Sequence, residues 1–188
     1  LVVCCAFPWF PESERWRRKS ALLLERELGR NTFLPAIVRE PALGQCTVIE
    51  LGLVAAVEAD VSGHPLRAAA WMRLCALADS AAALVDERMR PPGPDYSGES
   101  RGFLLDAPAP DYWPSMLALA AALVGQQDWW PQPPADVRSA IVGALAGSKR
   151  QIAGRPPQRP SHFAEAGIAL LRTRGENEIW CRCDCGPH

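Results

Sequence analysis

The sequence predicts a mainly α protein that ends in β-structure, and three observations carry that prediction. From Pro11 to Ala146 apolar residues recur at the three-four spacing of helices, between breaks rich in proline and glycine. From Phe163 to Asp184 the spacing changes to the two-residue alternation of strands. Between the two regimes lies Gly154 to Pro160, GRPPQRP, which reads as a linker. The expected organisation is a helical part over 1–153, a linker over 154–162, and the first strands of a β-domain over 163–188.

The elements follow in order. Leu1 to Phe10 is apolar, contains Pro8, is too short to span a membrane, and reads as the tail of an upstream segment. Pro11-Glu12-Ser13-Glu14 opens a helix with acidic residues in its first turn, where they suit the helix dipole, and Gly29 closes it. Asn31 to Glu40 is a loop. The second helix runs from Ala42 to about Asp60 and is apolar nearly all round from Val48 to Val57, so it is expected to be buried on several sides. Pro65 starts the third, Leu66 to about Arg88, with Trp71, Leu74, Cys75, Ala78, Ala82 and Val85 as its core stripe.

Arg90 to Arg101 is a polar Pro/Gly/Ser loop. Asp111 to Gln127 is a fourth helix, ended by Trp129-Trp130-Pro131, and Pro134 opens a fifth that reaches Ala146. Helices paired by short loops suggest α-hairpins stacked as part of an (α/α) toroid or helical array. At the C-terminal end Phe163, Ile168 and Leu170 share one face of a hairpin. Arg172 to Asn177 is its turn, and Cys181, Cys183 and Cys185 share one face of the second strand. A lone hairpin is marginal in water, so these strands read as the start of a longer sheet.

Composition narrows the function classes. With 188 residues, 48% hydrophobic content and a net charge of −1, the chain lacks the basic excess of a dedicated nucleic-acid binder. Seven cysteines cannot all pair within the chain, and reduced thiols are the expected state. The Cys181-x-Cys183-x-Cys185 row with His188 does not have the knuckle spacing of structural zinc, so no metal and no cofactor are expected.

Three stretches together resemble the heparinase II/III-like polysaccharide lyases. The first is FAEAGIALLRTRGENEIWCRCDCGPH, in which Phe163, Gly167, Arg172, Asp184 and Gly186 match the opening of that family's β-sandwich. The second is RGFLLDAP, Arg101 to Pro108, and the third is ELGLVAAVEAD, Glu50 to Asp60, both similar to segments of the family's toroid. The resemblance implies an α/α toroid joined to a β-sandwich, and β-elimination cleavage of a uronic-acid-containing polysaccharide in a secreted or periplasmic setting. Such chemistry neutralises the uronate carboxylate with Asn, His or Arg donors while a Tyr or His moves the proton.

Carried onto this chain, the resemblance makes Tyr96 the candidate acid/base, with an exposed loop tyrosine as the other reading. Asn31, Arg39 and Arg101 become candidate substrate-binding residues; at the best-matched position Val38, not asparagine, stands beside Arg39. Glu50 becomes a candidate for orienting a donor, or a structural ion-pair partner. Trp129-Trp130 reads as a sugar platform or as a packed helix-end plug. The expected partner is an acidic polysaccharide, with no nucleic acid and no membrane span, and with self-association through the exposed hairpin edge. Because the mechanism also needs groups beyond both ends, the chain alone is expected to be inactive. The reading from another class is a non-catalytic helical module that binds a protein partner or an acidic glycan.

Overall fold

A computed structural model of the chain describes residues 1–30, 35, 38, 43–90, 112–173 and 180–186. Among them are helices α1 (Val2–Ala6), α2 (Ser13–Gly29), α3 (Leu43–Val61), α4 (Ala68–Leu84), α5 (Tyr112–Val124) and α6 (Val137–Ala146), then strands β1 (His162–Phe163), β2 (Ile168–Arg172) and β3 (Trp180–Asp184). The protein is mainly helical with a small antiparallel sheet in the order β1-β2-β3.

Where a boundary differs from the sequence expectation, local hydrogen bonding explains it. Helix α4 stops at Leu84 rather than near Arg88, because the Asp86 carboxylate accepts the backbone N–H groups of Arg88 (2.9 Å) and Arg90 (2.8 Å) and folds the chain into a turn. Helix α6 starts at Val137 rather than Pro134. Asp136 is its N-cap, accepting the Ser139 N–H at 2.6 Å, and the Asp136 N–H donates back to Ser139 Oγ. Helix α5 ends at Val124 rather than near Gln127, and Pro114 sits in its first turn, where no intrahelical donor is lost.

Helix α3 is the centre of the fold and packs against α1, α4, α5 and α6, as its all-round apolar surface predicts. Ile49 and Leu53 are fully buried in one apolar core with Leu74 of α4 and Met116, Leu117, Leu119 and Leu123 of α5. Burying each such side chain contributes about 1.5–3 kcal/mol. Gly52 lets α3 and α4 approach closely, since a methyl there would lie 2.6 Å from the Leu74 side chain.

The sheet is built on the alternation read from the sequence. Ile168 and Leu170 are buried, Leu171 is exposed, and Ala169 lies between. Strand β1 adds to the expected hairpin: His162, read as a linker residue, pairs with Ala169 and Phe163 with Ile168. Phe163, Ala166, Ile168 and Leu170 belong to the same apolar core as the helices. The hairpin turn over 174–179 lies outside the described residues.

The stretch between α6 and β1 is tied to the helical body at several points. Arg155 is buried among α4 and α5, the Trp129 indole N–H donates to Pro156 O at 2.9 Å, and Arg159 donates to Val85 O. From β2, Arg172 reaches the same helix end, donating to Ala83 O and Val85 O. The Arg159 and Arg172 guanidinium groups supply donors to carbonyls at the C-terminal end of α4, which its own backbone leaves without partners.

No described helix is long and apolar enough to cross a membrane.

Candidate functional site

Four of the sequence candidates, Asn31, Arg39, Tyr96 and Arg101, lie outside the described residues. Glu50 is described, and its surroundings are polar and enclosed. It projects from α3 toward α6 and pairs with Arg138, whose guanidinium also donates to Ser115 Oγ on α5. Ser115 Oγ in turn donates to Asp136, the N-cap of α6. One chain of hydrogen bonds thus links α3, α5 and α6.

The two carboxyls of this chain are pushed in opposite directions. Burial raises the Glu50 pKa above its ordinary value near 4.5, and the charge and hydrogen bond of Arg138 only partly offset it. One Glu50 oxygen, Oε2, is buried with no hydrogen-bond partner among the described residues. Burial raises Asp136 too, but hydrogen bonds from Ser115 and Ser139 outweigh it and hold that carboxyl below the usual range. Glu50 is therefore an ion-pair partner in a structural network, with one oxygen left over that could accept a further donor.

The Glu50 shift sets a pH dependence. A carboxyl whose folded pKa is raised binds its proton more tightly in the folded state. Its effect on stability is therefore most favourable below the ordinary value near 4.5 and is lost as pH rises to the raised folded value. Glu50→Gln should flatten the stability profile across that window, as measured by urea unfolding at a series of pH values. A profile unchanged by the substitution would show that Glu50 ionises normally.

A groove of about 1040 Å³ lies between α2 and the start of α4. Its floor includes Leu22, Leu23, Leu28 and Ala70, with Leu22 54% and Leu23 40% exposed. Around this apolar strip stand Arg15, Arg18, Lys19, Arg26, Arg67 and Arg73, six basic side chains against two acidic ones, Glu14 and Glu25. Both carboxylates are engaged. Hydrogen bonds from Arg17 and Arg18 hold Glu14 down at about 2, and Glu25 accepts the Arg67 backbone N–H at 2.7 Å. The result is a basic patch on a chain whose net charge is −1. The sequence reading did not single out this patch. Its signal was there in the basic face of α2, at Arg15, Arg18, Lys19 and Arg26, which meets Arg67 and Arg73 only after folding.

Other residues discussed from sequence turn out to be structural. Val38 is fully buried in the core. Trp130 is buried, with its indole N–H donating to Asp79 at 2.9 Å, so the tryptophan pair plugs the end of α5 rather than offering a sugar platform. Cys181 and Cys185 are exposed and Cys183 is half-buried; all seven cysteines are free thiols. Among the described residues no group of three or more His, Cys, Asp or Glu side chains is placed to hold a metal ion.

The C-terminal residues that carry the family resemblance each have a local role. Phe163 is buried, Gly167 has φ +65° and lies against Gly186, and the Gly186 N–H donates to Asp184 Oδ1 at 3.3 Å. Comparison with protein-family models, with curated proteins and with solved structures returned no match to this chain.

Proposed function

We propose that this chain is a helical module of heparinase II/III-like lineage that holds an acidic polysaccharide without cleaving it. The observation that supports the reading is the groove between α2 and α4. Its basic rim suits uronate carboxylates, and its leucine floor suits the C–H faces of sugar rings. In this reading the helices belong to an (α/α) toroid, and β1 to β3 open a β-sandwich. Tyr96, with Asn31, Arg39 and Arg101, would be the residues of the elimination chemistry in the complete enzyme. Among the described residues no tyrosine or histidine lines the groove, so binding without turnover is the expected behaviour.

The test is a titration of the chain with oligogalacturonate at two salt concentrations, with ultraviolet absorbance followed for the unsaturated uronate product. Binding that weakens with salt and yields no product is the expected result. Arg18→Glu and Arg26→Glu should each weaken it about threefold or more, the scale of one exposed ion pair. Absence of binding at low salt would sink the proposal. Strong product formation that Tyr96→Phe abolishes would show that the chain is itself a lyase.

The exposed Leu22 and Leu23 also suit a second reading, in which the groove docks an acidic amphipathic helix of a partner protein. Binding of an acidic amphipathic helical peptide that weakens with salt, with no affinity for the oligosaccharide, would favour it.

A further inference from the structure

Between α1 and α2 the chain carries a knob of aromatic side chains. Trp9 is 70% exposed, and Phe7 and Phe10 are exposed beside it. The three rings pack on one another. The Phe7 ring centre lies 5.3 Å from that of Trp9 and 6.5 Å from that of Phe10, and Trp9 and Phe10 are 6.5 Å apart. The backbone beneath them is pinned. Ser13, which is buried, donates its hydroxyl to Phe7 O at 2.6 Å and its N–H to Phe10 O at 3.0 Å. The Phe7 N–H donates to Val3 O at 3.0 Å. An exposed apolar cluster held in this way marks a surface that meets another body.

The charges next to the rings say what that body is. From Glu12 to Lys19 four basic side chains, Arg15, Arg17, Arg18 and Lys19, stand against Glu12 and Glu14. Glu14 is taken up by Arg17 and Arg18. Arg15, Arg18 and Lys19 are exposed at three-four spacing on one face of α2, and the exposed Trp16 lies next to Arg15 in the chain. At 1.5 Å per residue these basic residues all lie within about 9 Å of the helix start along its axis. That is close to the screening length of about 8 Å at physiological salt, so a negative surface touching the rings also attracts the cations.

A second copy of the chain suits this surface poorly, because a two-fold contact through the rings brings the same basic residues together. A sugar ring suits it poorly too. The plane of Phe7 crosses those of Trp9 and Phe10 at 81° and 65°, so the rings form a knob and not a flat stacking platform. A lipid surface yields to a knob, accepts Trp and Phe at its interface, and offers anionic headgroups to Arg and Lys. We propose that Phe7, Trp9 and Phe10, with Arg15, Arg18 and Lys19 of α2, dock the protein on an anionic lipid surface. This is a surface contact, with the rings among the headgroups. The rings do not line the basic groove, and the contact does not depend on what the groove holds.

The experiment mixes the full chain with vesicles of phosphatidylcholine alone and with vesicles of equimolar phosphatidylcholine and phosphatidylglycerol. The fraction that sediments with lipid is measured at two salt concentrations. The expected result is binding to the anionic vesicles that weakens with salt, and binding to the neutral ones that is about tenfold weaker or more. Trp9→Ser and Phe10→Ser should each weaken binding to the anionic vesicles about tenfold, the scale of one large apolar side chain leaving water. Both side chains are exposed, so circular dichroism of the variants should match that of the native chain. Any affinity of the groove for oligogalacturonate should be the same in both variants and the native chain. No sedimentation with the anionic vesicles would overturn the proposal. So would equal binding to the two kinds of vesicle, variants that bind as the native chain does, or a lipid-free dimer that Trp9→Ser dissociates.

Discussion

Asp79→Ala is expected to destabilise the protein by about 3–5 kcal/mol, the scale for removing one partner of a buried ion pair. Asp79 sits on the inner face of α4 and is 3% exposed. Arg155 meets it with two parallel hydrogen bonds, Nε to Oδ2 at 3.0 Å and Nη2 to Oδ1 at 2.8 Å. The Trp130 indole adds a third at 2.9 Å, and the Cys75 thiol lies 3.8 Å from Oδ2. The remaining arm of the guanidinium donates to Val124 O and Gly125 O, both at 2.8 Å, at the C-terminal end of α5. A cation there also suits the helix dipole.

The alanine variant would leave Arg155 charged and buried with only carbonyls to answer it. Burial alone would lower its pKa, but the hydrogen bonds and charge of Asp79 outweigh that and keep it raised. Cys75 responds the other way: burial, reinforced by the Asp79 charge, pushes the thiol up to about 12, so it stays protonated and remains a donor. Denaturant unfolding of Asp79→Ala and Arg155→Ala measures the two losses. The double variant Asp79→Leu with Arg155→Met should lose less than either single one, because no buried charge is left over. Additive losses in the double variant would show that the pair is not coupled.

This cluster marks the limit of what the sequence discloses. The helices were legible because their apolar stripes are periodic and their breaks are chemically plain, as at Gly29, Gly63-His64-Pro65 and Trp130-Pro131. Strand alternation at Ile168 to Leu171 was equally plain. The partner of Asp79 was not. A carboxylate four residues after Cys75, on the stripe that also carries Trp71 and Ala82, does announce a buried charge in need of a cation. Nothing local says that the cation is Arg155, 76 residues later in a proline-rich stretch that reads as a linker. The basic groove was hidden for the same reason. Four of its six basic side chains are on α2 and two around the start of α4, and only the packing of those helices joins them. Glu50 read from sequence as a residue that orients a donor or joins an ion pair, but its partner Arg138 lies 88 residues away in sequence.

Gly167→Ala should be the most damaging small substitution in the sheet, costing about 3 kcal/mol or more. Holding a non-glycine residue in the left-handed region accounts for about 1–2 kcal/mol of that. The rest comes from a clash with backbone. Gly167 sits at φ +65°, and a methyl on it would lie 2.7 Å from Gly186 N and closer still to Gly186 Cα. Main chain cannot turn aside as a flexible side chain can. The same contact is held by the Cys185 N–H, which donates to Gly167 O at 2.6 Å, so β3 must move for the methyl to fit. Moving β3 disturbs its pairing with β2, whose Ile168 and Leu170 lie in the common core. Gly154→Ala separates the two causes. Its φ is +77° but nothing lies within 4 Å of the added methyl, so only the conformational cost of about 1–2 kcal/mol should appear. Unfolding free energies of the two variants, with amide exchange at Leu170 and Cys185, provide the measurement. Equal losses at the two glycines would mean that β3 does not pack against Gly167 in solution.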